Sequence, residues 1–210
     1  MLNFIIACSH LDPYAMVRAG GYLGVAIVIF SETGLLVGIF LPGDSLLFIA
    51  GLLAAAGLLS IAPLITIIVI AAILGDSVGY WFGINVGDNL FKKKDSRFFK
   101  QEYVTRTKKF YAEYGARTIM LARFVPVVRT IAPILAGVGR MKYTRFLKFN
   151  ALGGLGWGAG ITLLGYFLGS VIPNIDSYVL PITLVIIVLS FLPIFLNISR
   201  NKRGLETEIF

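Results

Sequence analysis

Residues 38–51 read GIFLPGDSLLFIAG, an apolar run that is interrupted by Pro42-Gly43 and by the carboxylate of Asp44. A helix break within lipid exposes backbone N–H and C=O groups that the bilayer cannot hydrogen-bond. Such a break is tolerated only where protein or a water-filled cavity receives it. The stretch therefore predicts a broken membrane helix with a functional site at the break.

The whole chain has the composition of a membrane protein. Hydrophobic residues make up 57% of its 210 residues and charged residues only 14%, with a mean hydropathy of +0.84. Soluble domains average about 45–50% and about 25% for the same two classes. Three windows carry no charge: 45–75, 149–175 and 177–199. Each reaches the ~20 residues that a helix needs to cross a bilayer, so the sequence predicts an all-α, polytopic membrane protein.

The positive charges are concentrated beside these apolar windows. The net charge is +8, and all but three of the nineteen Lys and Arg residues lie in 92–117, 140–148 and 200–203. This bias is typical of the cytoplasmic segments of membrane proteins. We therefore predict a cytoplasmic amphipathic connector at 88–117 that lies on anionic lipid, a cytoplasmic tail at 200–210, and no nucleic-acid partner.

The chain contains two copies of one sequence pattern. Ala50-Gly51 is followed 28 residues after the glycine by GYWFG (79–83), and Ala136-Gly137 is followed at the same spacing by GYFLG (165–169). Upstream, FLP in the first copy matches FVP in the second. Matched elements in the same order indicate an internal repeat. The sequence predicts repeat one at about 20–87 and repeat two at about 118–171.

The charge pattern also predicts how the repeats cross the membrane. Residues 118–139 lie between two basic segments, so they are expected to enter and leave on the cytoplasmic side as a re-entrant hairpin. A single crossing by the same residues is the open alternative. The first broken element then opens to the outside, which gives two inverted re-entrant hairpins, as in many secondary transporters. A single domain, 1–199, ends with a last transmembrane helix at 177–199; whether 14–30 spans the membrane or lies at its interface stays open.

Several charged residues lie inside apolar segments, where an unpaired charge costs from ~3 to more than 10 kcal/mol. They are Glu32, Asp44, Asp76, Arg123 and Arg129. Pro126 breaks the helix between the two arginines, so both guanidinium groups can face one cavity. We expect the acidic tip of the first hairpin to meet the basic tip of the second.

Two interpretations of this meeting stay open. In one, Glu32 or Asp44 neutralises an arginine as a buried pair that only holds the hairpins together. In the other, Arg123 and Arg129 bind a phosphate headgroup through their planar N–H forks. A nearby carboxylate would then be protonated or displaced when the anion enters. Weaker candidates for the site are Asp76, Ser45 and Thr130.

This chain resembles the DedA family of membrane proteins, which share the SNARE-associated or VTT domain. The resemblance is carried by Glu32 and by the motifs GIFLPGDSLLFIAG, GDSVGYWFG (75–83) and ARFVPVVRTIAPILAGVGRM (122–141). It implies two facing re-entrant hairpins in the bacterial cytoplasmic membrane and recycling of undecaprenyl phosphate, the lipid carrier of envelope precursors. It also implies dependence on the proton motive force and roles for the acids and arginines at 32, 44, 123 and 129.

The sequence thus predicts a transporter or flippase and not an enzyme. Its expected partners are a polyprenyl phosphate, anionic membrane lipids and protons, and its glycine-rich helix faces permit a homodimer. No cofactor or metal is expected, since the chain has one His and one Cys. The alternatives are a proton-coupled ion antiporter, a less specific lipid scramblase, and a polyprenyl diphosphate phosphatase with a Ser or Thr nucleophile.

Overall fold

The computed structural model describes residues 13–35, 41, 43–92 and 114–171, and the regular structure in these ranges is helical. The helices are α1 (Pro13–Gly34), α2 (Gly43–Ala55), α3 (Ile61–Lys92), α4 (Arg117–Ala122), α5 (Pro126–Val138), α6 (Tyr143–Gly154) and α7 (Gly160–Val171), with a π turn (Leu155–Ala159) joining the last two. Pro42, most of the predicted connector, the predicted helix at 177–199 and the tail lie outside the described residues.

Three segments are long and apolar enough to span a membrane: Tyr14–Gly34, Ile61–Asn85 and Tyr143–Val171. At 1.5 Å of rise per residue, each covers an apolar core of about 30 Å. The prediction of an all-α, multi-pass protein is confirmed. The first of these segments is kinked at Gly21, whose φ of 53° lies in the region that favours glycine.

Two further helices, α2 and α5, have 13 residues each. At about 20 Å in length, neither crosses a bilayer core alone. Gly43 begins α2, and Pro126 begins α5, where the missing proline N–H leaves no intrahelical hydrogen bond unmade. Val125 before it is extended, with φ −118° and ψ 109°, and separates α5 from the short α4. Both helices therefore start at breaks in the helical structure, and the predicted site residues lie next to these breaks.

In the two copies of the sequence pattern, the Ala-Gly helix of each copy packs against the Gly-Tyr helix of the other copy. The Ala-Gly dipeptide of α2 lies on the Gly-Tyr motif of α7, and the Ala-Gly dipeptide of α5 lies on the Gly-Tyr motif of α3. A Cβ added to any of four glycines would overlap a facing carbonyl oxygen: Gly51 against Thr162, Gly165 against Phe48, Gly83 against Ile134, and Gly137 against Tyr80. Only glycine permits backbones to approach this closely.

Another close crossing brings α1 and α3 together. A Cβ on Gly34 would lie 2.9 Å from the Gly75 carbonyl oxygen. Glu32 and Asp76, which are near neighbours of these glycines in sequence, are thereby buried in the same interior. Trp157, from the π turn, packs into the apolar cluster that α1, α2 and α3 form. The crossing therefore buries one acid from α1 and one from α3 close to this cluster.

Candidate functional site

Arg129 joins three helices through two carboxylates. It lies in the first turn of α5, which starts at Pro126, and its side chain points into the protein. Its Nη1 donates to Asp44 Oδ1 of α2 at 2.7 Å, and its Nη2 forms an ion pair with Glu32 Oε1 of α1. The predicted acidic and basic residues at the two helix breaks are thus brought into direct contact.

The Glu32 carboxylate lies against the first residue of α2. A Cβ on Gly43 would overlap its Oε2, so only glycine leaves room for the carboxylate there. The first turn of a helix carries partial positive charge, which favours an anion. This oxygen has no hydrogen-bond partner among the described residues, although Oε1 binds Arg129. The carboxylate is therefore held by charge and packing on one side and by the guanidinium on the other.

Arg123 binds a different set of acceptors. Its Nη2 donates to Asp76 Oδ2 at 2.5 Å, to Asn150 Oδ1 at 2.5 Å and to the Ala72 carbonyl oxygen at 3.3 Å. The Asn150 amide is itself fixed, since its Nδ2 donates to the Ile73 carbonyl oxygen at 3.2 Å. Asp76, a weaker candidate in the sequence, is thus the ion-pair partner of Arg123, and α3, α6 and the end of α4 meet at this point.

Trp157 lies between the two ion-pair groups. Its indole Nε1 donates to Asp44 Oδ1 at 2.8 Å. The guanidinium carbons of Arg129 and Arg123 are 4.8 Å and 5.7 Å from the ring centroid, within the range of cation–π attraction. The π turn that carries this residue is a local helix irregularity of the kind often found at functional sites. One ring therefore links both arginines to one another and to Asp44.

The cluster contains more hydrogen-bonding capacity than its members use. Arg123 Nε and Nη1, Arg129 Nε and Glu32 Oε2 are buried and have no hydrogen-bond partner in the part of the chain that the structure describes. Buried polar groups are nearly always paired in folded proteins. A purely structural ion-pair network is expected to satisfy its donors, so these N–H groups are unused hydrogen-bonding capacity within the described part of the chain.

The cluster is also unbalanced in charge. Two guanidinium groups face three carboxylates, so the net charge is −1 when all five groups are ionised. An additional anion makes this balance more negative unless a carboxylate leaves or takes up a proton. An anion entering this cluster would therefore have to displace a carboxylate or have one protonated.

The remaining candidate residues lie outside the ion pairs described above. Ser45 and Thr130 are buried beside Asp44 and Arg129 in sequence, but no ion pair in the described ranges includes them. Pro42 lies outside the described residues. No group of three or more His, Cys, Asp or Glu side chains in those ranges is arranged to hold a metal ion.

Sequence reasoning missed two members of the cluster, Asn150 and Trp157. Each carried a weak signal: Asn150 is an amide within the apolar run FNALGG, and Trp157 stands between two glycines in LGWGA. An amide in a membrane helix requires a hydrogen-bonding partner. That requirement alone, however, does not identify Arg123 as the partner.

Comparisons with known proteins agree with the membrane architecture. Residues 41–167 match the VTT domain family. Protein DedA of Escherichia coli (strain K12) is 44% identical, over 97% of this chain and 94% of that protein. An uncharacterized membrane protein of Mycobacterium tuberculosis (strain ATCC 25618 / H37Rv) is 47% identical, over 92% and 88%. Inner membrane protein YqjA of Escherichia coli (strain K12) is 34% identical, over 70% and 67%. No solved structure gives a significant match.

Proposed function

This chain belongs to the DedA family of membrane proteins, and from that premise we propose that it transports a polyprenyl phosphate across the bacterial cytoplasmic membrane. The substrate is undecaprenyl phosphate, which returns to the cytoplasmic side for reuse. Arg123 and Arg129 bind the phosphate, and the isoprenoid tail stays in lipid. The protein acts as a carrier and catalyses no covalent step.

The observation that carries this proposal is the pair of guanidinium groups beside one indole ring, with unused N–H donors on both. Arg123 has two such donors and Arg129 has one. Leaving a buried donor unpaired costs about 1–3 kcal/mol, and more for a charged group. A phosphate offers several anionic oxygens to planar guanidinium forks. Binding a phosphate would therefore satisfy groups that have no partner among the residues the structure describes.

The three carboxylates differ in exposure, and this difference indicates which of them an incoming phosphate meets first. The Asp44 side chain is 24% exposed, whereas those of Glu32 and Asp76 are 1% and 4% exposed. Asp44 is therefore the carboxylate that an incoming anion reaches first and displaces from Arg129. Glu32 stays on the other edge of the same guanidinium.

Proton coupling follows from the charge balance. With three carboxylates and two arginines, the cluster has no net positive charge to offer an anion. Proton uptake by Glu32 or Asp44 removes a competing negative charge while the phosphate is bound. Protonation on the side of high proton concentration then links transport to the proton motive force.

Alternating access is supported by the lengths and contacts of the helices. α2 and α5 are too short to cross the bilayer, and each begins at a break in the helical structure. Both features are expected of re-entrant hairpins. The reciprocal glycine contacts of α2 with α7 and of α3 with α5 suit an inverted repeat. Rocking one repeat against the other would open the site to each side in turn, with the basic connector and C-terminus in the cytoplasm.

Direct binding tests the proposal. Purified protein in detergent is titrated with polyprenyl phosphate and with a neutral polyprenol of equal chain length, for the wild type and for Arg129→Ala. We expect the wild type to prefer the phosphate and Arg129→Ala to lose at least tenfold in phosphate affinity, since each charge-assisted hydrogen bond contributes about 1.5–3 kcal/mol. Arg145→Ala, which removes an exposed arginine of α6, serves as the matched control.

Removing either arginine leaves a buried acid unpaired, Glu32 for Arg129 and Asp76 for Arg123, which costs about 3–5 kcal/mol. Insertion and folding of Arg129→Ala are therefore checked before its binding is measured, and Arg123 is tested together with its acid. The double variant Arg123→Gln with Asp76→Asn removes both charges and keeps hydrogen-bonding groups in place. We expect it to insert and fold but to lose preference for the phosphate. Binding that ignores the headgroup, or that survives both sets of substitutions, would leave these charges as a structural ion-pair network and favour the antiporter or scramblase alternative.

A further inference from the structure

A single carboxylate oxygen in the cluster accepts two hydrogen bonds. Asp44 Oδ1 receives Nη1 of Arg129 at 2.7 Å and the indole Nε1 of Trp157 at 2.8 Å. The indole N–H has no acceptor function and can only donate. The position of this oxygen is therefore one where two donors, one of them charged, converge on a negative atom.

Among the described residues, the indole has no other acceptor once Asp44 leaves. Trp157 is 1% exposed, and Asp44 is its hydrogen-bond acceptor in the described part of the chain. Arg129 would keep Glu32, but the indole N–H would become a buried donor without a partner, at a cost of about 1–3 kcal/mol. Whatever displaces Asp44 must therefore supply an acceptor at the same place.

We infer that Trp157 is a third ligand of the headgroup, and that its indole N–H passes from Asp44 Oδ1 to an oxygen of a phosphate monoester when that group binds. The inference rests on the proposed function and extends it to a residue outside the pairs of acids and arginines. The phosphate oxygen takes the position that Asp44 Oδ1 has between Arg129 Nη1 and Trp157 Nε1. Displacement then breaks two hydrogen bonds to Asp44 and makes two to phosphate, so neither Arg129 Nη1 nor the indole N–H is left unpaired.

The indole ring face adds a second contribution. The ring centroid lies 4.8 Å from the Arg129 guanidinium carbon and 5.7 Å from that of Arg123. The ring therefore attracts both cations while phosphate replaces Asp44. The indole N–H at the ring edge and the two guanidinium groups over the ring face therefore contact the same phosphate from two sides. Hydrogen bonds to an ionised acceptor are about twice as strong as neutral ones, so the arrangement favours a phosphate over a neutral alcohol.

The first test removes the N–H and keeps an aromatic ring. Trp157→Phe retains the ring face but donates no hydrogen bond, and Trp81→Phe changes the other tryptophan of the chain, which is 52% exposed. Affinities are measured for polyprenyl phosphate and for neutral polyprenol of equal chain length. We expect Trp157→Phe to weaken phosphate binding about tenfold with polyprenol binding unchanged, and Trp81→Phe to change neither. A tryptophan that serves only packing would not alter the ratio of the two affinities.

The second test keeps Trp157 in place, so it does not depend on the folding of a variant at that position. In Trp81→Phe protein, Trp157 is the sole source of indole fluorescence. We expect its emission to shift on addition of polyprenyl phosphate and to stay constant with polyprenol. Inorganic phosphate is the third titrant: a shift at comparable concentration assigns recognition to the headgroup alone, and a shift only at much higher concentration assigns part of it to the tail.

The outcomes separate this inference from the function on which it rests. If binding prefers phosphate and depends on Arg129, but Trp157→Phe leaves that preference intact and the indole emission does not respond, Trp157 is no headgroup ligand and the proposed function stands. If the wild type shows no preference for phosphate over polyprenol, both fall together.

Discussion

Glu32 and Asp44 bind the same guanidinium, yet they differ in what holds them. Glu32 is almost fully buried, and its Oε2 lies against Gly43 at the start of α2. Asp44 is partly exposed and shares one oxygen between Arg129 and Trp157. In the proposed function, a ligand therefore replaces Asp44 while Glu32 stays on Arg129.

The contact between Gly43 and Glu32 leads to a prediction at this scale. Gly43→Ala would place a Cβ on the carboxylate, so Glu32 must move away from α2 and from Arg129. We expect a loss of about 1–3 kcal/mol in unfolding free energy, as for other overpacked sites, together with weaker phosphate binding. Thermal unfolding in detergent measures the first effect.

Gly160→Ala is the matched control for this substitution. Gly160 is a helical glycine with no heavy atom within 4 Å of an added Cβ, so alanine should be neutral or stabilise by about 0.5–1 kcal/mol. Equal stability losses for the two variants would contradict the assigned role of Gly43.

The site could be predicted from the sequence only in part, and the reason is physical. A charge in an apolar segment must find a partner, so residue type and position are enough to identify Arg129 and the acids as candidates. Which partner a charge meets depends on how helices that are far apart in the sequence cross one another. Arg123 therefore meets Asp76, 47 residues away, and Asn150, 27 residues away, in contacts that no local periodicity encodes.

At the scale of elements, long apolar windows predict α3 and the α6–α7 segment, because the length needed to cross a bilayer is read directly from the chain. Proline and glycine likewise predict where α2 and α5 begin. The pairing of the repeated motifs was not predictable in the same way. Equal spacing shows that two elements are alike, but which helix each one packs against is decided by their crossing in three dimensions.

The pairing of α3 with α5 can be tested by cross-linking. A Cβ at Gly79 would lie 3.5 Å from Cβ of Pro133, which is within the range of disulfides. In a Cys8→Ser background, we expect Gly79→Cys with Pro133→Cys to form a disulfide on mild oxidation. Trypsin cleavage in the lysine-rich segment 92–109 then leaves two fragments that separate only under reducing conditions.

A pair that combines Gly57→Cys with Pro133→Cys is the control, because Gly57 lies in the same tryptic fragment as Gly79 and has no neighbour within 4 Å of an added Cβ. Fragments that separate without reductant in the first pair, or that stay joined in both, would contradict the packing of α3 on α5.

At the scale of the whole molecule, the proposed inverted repeat predicts which side of the membrane each turn faces. The turn after α2 should face outward, and the residues on both sides of the second broken helix pair should face the cytoplasm. Leu58, Arg117 and Lys142 are exposed reporters of these positions. The assignment depends on whether residues 118–139 turn back or cross once.

Single cysteines at these three positions, in a Cys8→Ser background, distinguish the two topologies. We expect a membrane-impermeant maleimide to label Leu58→Cys in intact cells, and to label Arg117→Cys and Lys142→Cys only after permeabilisation. Labelling of Arg117→Cys and Lys142→Cys from opposite sides would show that the intervening segment crosses the membrane once.

The exchanged glycine contacts also determine the order in which the protein can mature during synthesis. The ribosome releases α2 and α3 first, but their close-packing surfaces belong to α7 and α5. The nascent first half must therefore stay in the bilayer with its Gly51 and Gly83 faces uncovered until the second half has been inserted. A chain that stops before Gly160 leaves α2 without its partner, so a helix face built for close backbone packing stays open to lipid.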